Sequence, residues 1–375
     1  MGSVIADARQ LIAFDSTSRY SNAAVSDWVA DRLDELRFDI ERIEYDDAEG
    51  VHKVCLIAKR GSGAGGMAFF AHTDCVPAEE WTGPGGAWEP VVVDGRLYGR
   101  GACDMKGPLA AVLEGARRTV DLAVTQPLYI VCTADEEIGY GGAAAVVERS
   151  AGYREMVAAQ TLGVIAEPTR LEVVCAHKGG VGFRVTSHGR AAHSSTQLGI
   201  NANLAMIPFL AEMRAIYDET MTRPELQNES FDPPVLSWNI NVSDGGTAVN
   251  ITAPRSVCTV FFRPMPGVDH EPLVERARAA AERQGLDFEP LLRGTPLNTD
   301  PSRRVVRELL EVAGREHPRR VAYATDACMF TELEELVVFG PGDVAQAHTT
   351  DEWIDLTQLE RAADLYTALI ERWCR

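Results

Sequence analysis

The stretch Met67-Ala68-Phe69-Phe70-Ala71-His72-Thr73-Asp74 is a short apolar run that stops at a histidine and, two residues on, at a carboxylate. A run this short, bounded by a Gly-rich turn, reads as a strand rather than a helix. Side chains two apart on an extended chain point the same way. His72 and Asp74 can therefore face one cavity, with Asp74 near enough to hold the imidazole in one tautomer. A metal-bound histidine uses such a carboxylate to fix its ring and raise its basicity. Alone, His-x-Asp more often marks a strand-end histidine in a polar loop. The remainder of the chain decides between the two.

Just upstream, Gly61-Ser62-Gly63-Ala64-Gly65-Gly66 fits the dinucleotide pattern G-x-G-x-x-G. That pattern must open a helix whose N-terminus receives pyrophosphate, whereas here a strand follows directly. It reads as a flexible hairpin loop. Downstream, Leu97-Tyr98-Gly99-Arg100-Gly101-Ala102-Cys103-Asp104-Met105-Lys106-Gly107 leads into a helix over about 108–118. Glycines on both sides of Asp104 let the backbone bring that carboxylate close to another group; a solvated helix cap is the other reading. Leu128–Thr133 is a buried strand that ends in Ala134-Asp135-Glu136-Glu137, and a strand over 162–166 ends in Glu167-Pro168. Three adjacent carboxylates repel one another unless cations compensate. Surface charge runs are common, but this one is pinned to the end of a buried strand. Three strand ends thus carry His/Asp, Asp/Glu/Glu and Glu, and the carboxyl ends of strands are where an open α/β sheet binds ligands.

Apolar spacing predicts helices over 3–13 and 22–37 and strands over 39–45 and 51–58. From about residue 179 the pattern changes. Strands at 181–187, 235–242, 257–263 and 288–292 and helices at 202–217 and 271–283 give β-α-β-β-α-β, the ferredoxin-like order. The domain plan is a first segment 1–178, an insert 179–293 and a second segment 294–375. The last carries a helix (305–313), a strand (335–339), the stretch Gln346-Ala347-His348-Thr349-Thr350-Asp351-Glu352 and a closing helix (356–373).

The chain has 375 residues, 46% hydrophobic and 24% charged, as expected of a globular protein with room for two domains. A formal charge of −19 argues against nucleic acid as a partner. Eight cysteines form no C-x-x-C pair, and several lie in apolar runs, the pattern of reduced, buried thiols. With no run of ~18 apolar residues for a membrane span and no charged n-region before an apolar core, the expectation is a cytoplasmic protein.

His72, Asp104, Glu137, Glu167 and His348 form a nitrogen/oxygen set suited to Zn²⁺, Co²⁺ or Mn²⁺. One shared carboxylate can hold two ions ~3.5–4 Å apart, an arrangement used for hydrolysis. Glu136, beside Glu137 but not needed as a ligand, is the candidate general base.

These motifs resemble the acetylornithine deacetylase / succinyl-diaminopimelate desuccinylase family of dinuclear zinc amidohydrolases. The resemblance covers essentially the whole length. It rests on His72-Thr73-Asp74, Gly99 through Gly107, Asp135-Glu136-Glu137, Ala166-Glu167-Pro168-Thr169 and Ala347 through Glu352. It implies an α/β fold: a mixed-sheet, zinc-exopeptidase-like catalytic domain with an inserted ferredoxin-like α+β lid and dimerisation domain. It also implies two divalent metal ions, zinc first and cobalt or manganese as alternatives. His72, Asp104 and Glu167 would hold one; Asp104, Glu137 and His348 the other. Asp74 would orient His72, and Glu136 would take the proton of a water bridging the ions. In the insert, Gly189-Arg190-Ala191-Ala192-His193-Ser194-Ser195 resembles the family's lid motif, so His193 would stabilise the oxyanion from a partner subunit of a homodimer. Asn250 and Arg263 match positions that grip substrate, Arg being the natural reader of an α-carboxylate; a surface ion pair is the plainer role for Arg263. Ala176-His177-Lys178-Gly179, His193-Ser194-Ser195 and Gly340 through His348 are most similar to the acetylornithine deacetylases, which implies hydrolysis of N-acetylornithine to ornithine and acetate. One departure is Thr325-Asp326-Ala327, where that subgroup has Thr-Glu-Ala. A desuccinylase, another N-acyl-amino-acid deacylase, a dipeptidase or a carboxypeptidase would use the same platform. A catalytically silent metal-binding protein would have no use for Glu136.

Overall fold

The computed structural model describes residues 3–375. They form two compact units. One runs to Ala176 and resumes over Thr299–Arg319 and Thr325–Arg375; the other is His177–Asn298 with Arg320–Ala324. The second unit thus extends past residue 293, because strand Asp287–Gly294 stays paired with Gly180–His188 as far as Gly294 opposite Gly180. It also takes in 320–324, where the Lys178 amide donates to the Val321 carbonyl.

In the first unit, strands Asp39–Asp46 (β1), His52–Arg60 (β2), Met67–His72 (β3), Leu128–Thr133 (β4) and Leu162–Ile165 (β5) lie in the order β1-β2-β4-β3-β5, followed by Leu336–Val338 and Val174–His177. Every residue of β3 and β4 is buried, which explains their unbroken apolar runs: a strand covered on both faces does not alternate. Phe69 packs 4.7 Å from the ring of Tyr366 in the closing helix Leu356–Trp373. Phe70, pointing to the other face, meets Phe330 at 4.7 Å. Each ring so buried contributes roughly 1.5–3 kcal/mol. β3 runs parallel to β4 and β5, and β5 parallel to Leu336–Val338. The carboxyl ends of these four strands therefore share one edge of the sheet, and the loops that leave it carry residues 74, 134–137, 167 and 340–348.

The glycine-rich stretch 61–66 is not a hairpin. A strand does follow it, but β4 separates β2 from β3. The loop crosses the start of β4, and at Gly66 (φ +66°) a Cβ would lie 2.0 Å from the Pro127 carbonyl oxygen. Only glycine passes there.

A small antiparallel sheet joins Val91–Val93 and Arg96–Tyr98, turning at Asp94-Gly95, to Trp353–Asp355. Nothing in the sequence signalled this last strand, which brings the chain after His348 beside the Asp104 loop.

The second unit has the four-stranded order Asn239–Ser243, Arg255–Phe262, Gly180–His188, Asp287–Gly294, all antiparallel, with helices Ala202–Thr222 and Glu271–Arg283. This is the ferredoxin-like arrangement. Alternate residues of Arg255–Phe262 are buried, and Phe262 stacks 4.7 Å from Trp238. The strand expected over 235–242 begins only at Asn239. Before it, the carbonyls of Pro233 and Val235 accept from the buried Lys178 ammonium at 2.7 and 2.6 Å instead of entering a ladder.

Candidate metal centre

His72 is the last residue of β3, and Asp74 lies in the coil beyond it. Asp104 sits in the loop before helix Lys106–Arg118. Glu136 and Glu137 form the first turn of the short helix Glu136–Gly139 after β4, and Glu167 follows β5. His348 adopts φ +64° in the loop beyond Gly340. Segments far apart in sequence thus meet at the carboxyl edge of one sheet.

Asp104 is the centre of the group. Its Oδ1 lies 2.9 Å from His72 Nε2 and its Oδ2 3.3 Å from His348 Nε2. His72 Nε2 is also 3.4 Å from Glu167 Oε1, and His348 Nε2 is 2.9 Å from Glu137 Oε2. One carboxylate thus presents an oxygen to each of two His/Glu pairs. Ligand atoms of His72, Asp104 and Glu137 fall within 4.8 Å of one another, and so do those of His72, Glu136 and Glu167. Glu136 is therefore close enough to ligate as well as to serve as a base.

Asp74 is held differently from the simplest expectation. The closest approach of His72 Nδ1 is to the backbone carbonyl of Asp74, at 3.0 Å, with the carboxylate Oδ1 at 3.5 Å. That carboxylate accepts from Ser18 Oγ at 2.7 Å and from the amides of Glu136 and Glu137 at 3.3 Å each. Asp135, the first acid of the run, turns away from the cluster to Lys53 Nζ at 2.8 Å and Tyr45 Oη at 2.7 Å.

The electrostatics of the cluster call for cations. Burial, reinforced by neighbouring carboxylates, raises Glu136 well above the ordinary carboxylate range. Burial and Asp104 push Glu137 to about 7, and the same causes push Glu167 to about 8. Desolvation opposes charge on Asp104, but the two imidazoles outweigh it and hold this acid low. His72 is raised against its own desolvation by Asp104, Asp74 and Glu167, and His348 is raised to about 10 by Asp104 and Glu137. Four clustered carboxylates exceed what two imidazoles can neutralise. Glu137 Oε1 is buried with no hydrogen-bond partner. The His/carboxylate donors, the orphaned oxygen and the excess negative charge fit divalent ions of the zinc type.

The candidates of the insert lie in the second unit. His193 is exposed, its Nδ1 2.7 Å from Ser195 Oγ. It neighbours Asn250, also exposed, whose carbonyl accepts from the Ser194 amide at 2.9 Å. Arg263 is half-buried, its guanidinium 4.9 Å from the centre of the Phe261 ring.

Three residues that sequence reasoning gave no role in the centre support the cluster. Asp326 is 4% exposed, accepts from Thr133 Oγ1 at the end of β4 and leaves its Oδ1 unpartnered. Glu352 and Arg100 form a fully buried pair at 2.7 Å. Both lie inside motifs that carry the family resemblance, yet only the folded loops show what they touch.

Fold and site together define a metal-dependent amidohydrolase. A sequence profile of the peptidase family M20/M25/M40 matches residues 68–372. An acetylornithine deacetylase of Myxococcus xanthus is 36% identical over 378 residues, covering 97% of this chain and 96% of that one. Among solved structures, the M20 metallo-carboxypeptidase Sso-CP2 of Sulfolobus solfataricus superposes with a TM-score of 0.77 at 15% identity, covering 100% of this chain and 99% of the other. A dinuclear metal-binding M20 peptidase of Bacillus subtilis does so with 0.67 at 14%, covering 99% and 97%. The chain belongs to the M20 peptidase family.

Proposed function

We propose that the chain hydrolyses N-acetylornithine to ornithine and acetate. The observation that carries metal-assisted amide hydrolysis is the Asp104 carboxylate, divided between His72 and His348. The substrate assignment is supported by the full-length similarity to the Myxococcus xanthus acetylornithine deacetylase.

In this reading, His72, Asp104 and Glu167 hold one divalent ion and Asp104, Glu137 and His348 a second, zinc in the first instance. Bound there, such ions polarise a carbonyl and acidify water. Glu136 accepts the proton of the attacking water and passes it to the departing amine. Asp74 fixes His72 and the amides of Glu136 and Glu137. His193 of the partner subunit donates to the developing oxyanion, and Asn250 and Arg263 bind the substrate's polar groups, Arg263 its α-carboxylate.

We also propose a homodimer formed through the inserted domain. Leu204, Ile207 and Val242 of that domain are 67%, 58% and 54% exposed, an apolar surface of the kind that pairing covers. A light-scattering mass of one chain counts against the dimer. A reducing, cytoplasmic setting fits eight buried cysteines, none of them in a disulfide. Among the described residues no helix is long and apolar enough to cross a membrane.

The test is initial rates of the zinc- or cobalt-loaded protein on N-acetylornithine, N-acetylcitrulline, N-succinyl-diaminopimelate and a dipeptide, with a chelator control. Preference for N-acetylornithine, abolished by chelation, is the expected result. Faster turnover of the dipeptide overturns the substrate and keeps the platform.

A further inference from the structure

We infer that Glu352, acting with Arg100, is a positioning residue that sets the Asp104 loop and the His348 loop for the ion these two residues share. This rests on the two-ion reading proposed for the centre.

Glu352 is fully buried, and both its oxygens are filled by donors from the loop that bears Asp104. Oε1 accepts from the amides of Cys103 at 2.8 Å and Asp104 at 2.9 Å. Oε2 accepts from the Gly101 amide at 3.1 Å and Arg100 Nη1 at 2.7 Å. The other terminal nitrogen of Arg100 donates to the Thr349 carbonyl at 3.0 Å and the Pro77 carbonyl at 3.2 Å. Thr349 follows His348, and Pro77 lies three residues beyond Asp74. One ion pair therefore fastens three loops: the one that follows His72 and carries Asp74, that of Asp104 and that of His348. Arginine's rigid fork of donors can span them at once, which lysine cannot.

Glu352 is itself fixed by the ladder that begins beside it, Trp353 opposite Tyr98. His348 most needs this tether, because its side chain is 54% exposed, whereas those of His72 and Glu167 are 1% and 7% exposed. The ion held by Asp104, Glu137 and His348 should therefore depend on the frame more than the ion held by His72, Asp104 and Glu167.

Glu352→Gln keeps the shape but aims an NH₂ group at amide donors that need an acceptor. Arg100→Lys keeps the charge but loses the fork. Zinc is titrated into metal-free wild type and both variants by calorimetry, and melting of each metal-free protein confirms that it is folded. The expected result is two ions in wild type and, in the variants, a second ion bound about 10–100-fold more weakly, the cost typical of losing a group that orients a ligand. If Glu352→Gln does not fold, Glu352→Asp, which keeps the charge one methylene short, joins Arg100→Lys in the titration. A second ion bound as tightly as in wild type, whatever the change in melting temperature, overturns the inference and leaves the two-ion reading intact. Wild type that takes up no zinc overturns that reading, and the inference with it.

Discussion

The carboxylate of Asp74 accepts from the backbone amide of Glu137 at 3.3 Å, and its other oxygen from that of Glu136 at the same distance. A side chain just past the end of β3 therefore sets the direction of the loop that leaves β4. Asp74 also lies 3.5 Å from His72 Nδ1, so one carboxylate coordinates the placement of a candidate ligand, a candidate base and a second ligand. Asp74→Asn replaces one of those oxygens with an NH₂ group, set against one backbone donor together with either the His72 ring nitrogen or the Ser18 hydroxyl. Metal affinity should fall about 10–100-fold, with turnover falling as well. Titration calorimetry checks this, and an unchanged affinity removes Asp74 from the positioning role.

Glu136→Gln should retain both ions while kcat drops by about 10²–10⁴, the usual contribution of a positioned general base. The outcome is informative because Glu136 also lies within ligand distance of His72 and Glu167. Atomic absorption on the purified variant separates the two roles. Loss of one equivalent of metal makes Glu136 a ligand; full occupancy with normal turnover would falsify its role as base.

Much of this centre was legible in the sequence because its residues terminate strongly apolar strands. β3 and β4 are buried on both faces, so their runs stand out and direct attention to the polar residues just beyond their ends. Glu167 and His348 needed the ordered set of motifs as well. Asp326 and Glu352 were not legible as supports, since neither ends a long run and each works through a partner well over a hundred residues away, Thr133 in one case and the Asp104 loop in the other. The reading of 61–66 as a hairpin failed for a related reason. Local sequence shows that a strand comes after a glycine loop, but not that a third strand intervenes.

Metal should stabilise the fold, because four carboxylates gathered around two imidazoles lose their mutual repulsion when cations bind. Ligand at about 100 times its Kd adds about 2.7 kcal/mol to the free energy of unfolding. The melting temperature should therefore rise with zinc concentration in wild type. The rise should shrink in His348→Ala, which removes the outermost candidate ligand. Calorimetric melting across a zinc series checks this, and identical curves for both proteins would exclude His348 from metal binding.

Asp326 predicts a pH dependence of the metal-free protein. Burial, only partly offset by the hydrogen bond from Thr133, raises its carboxyl to about 7 from an ordinary 3.8. Between those values the folded chain holds a proton that the unfolded chain has released. Stability from this group is therefore complete below about pH 4 and declines as pH rises through 7, by at most about 1.4 kcal/mol per pH unit. Asp326→Asn removes the titrating group while leaving an amide oxygen to accept from Thr133. Measured by urea unfolding from pH 4.5 to 7.5 with chelator present, the variant should lose less stability than wild type as pH rises. At pH 7.5 the gap between them should favour the variant relative to pH 4.5. Parallel curves would mean that Asp326 titrates normally, and that its buried oxygen gains a donor in solution.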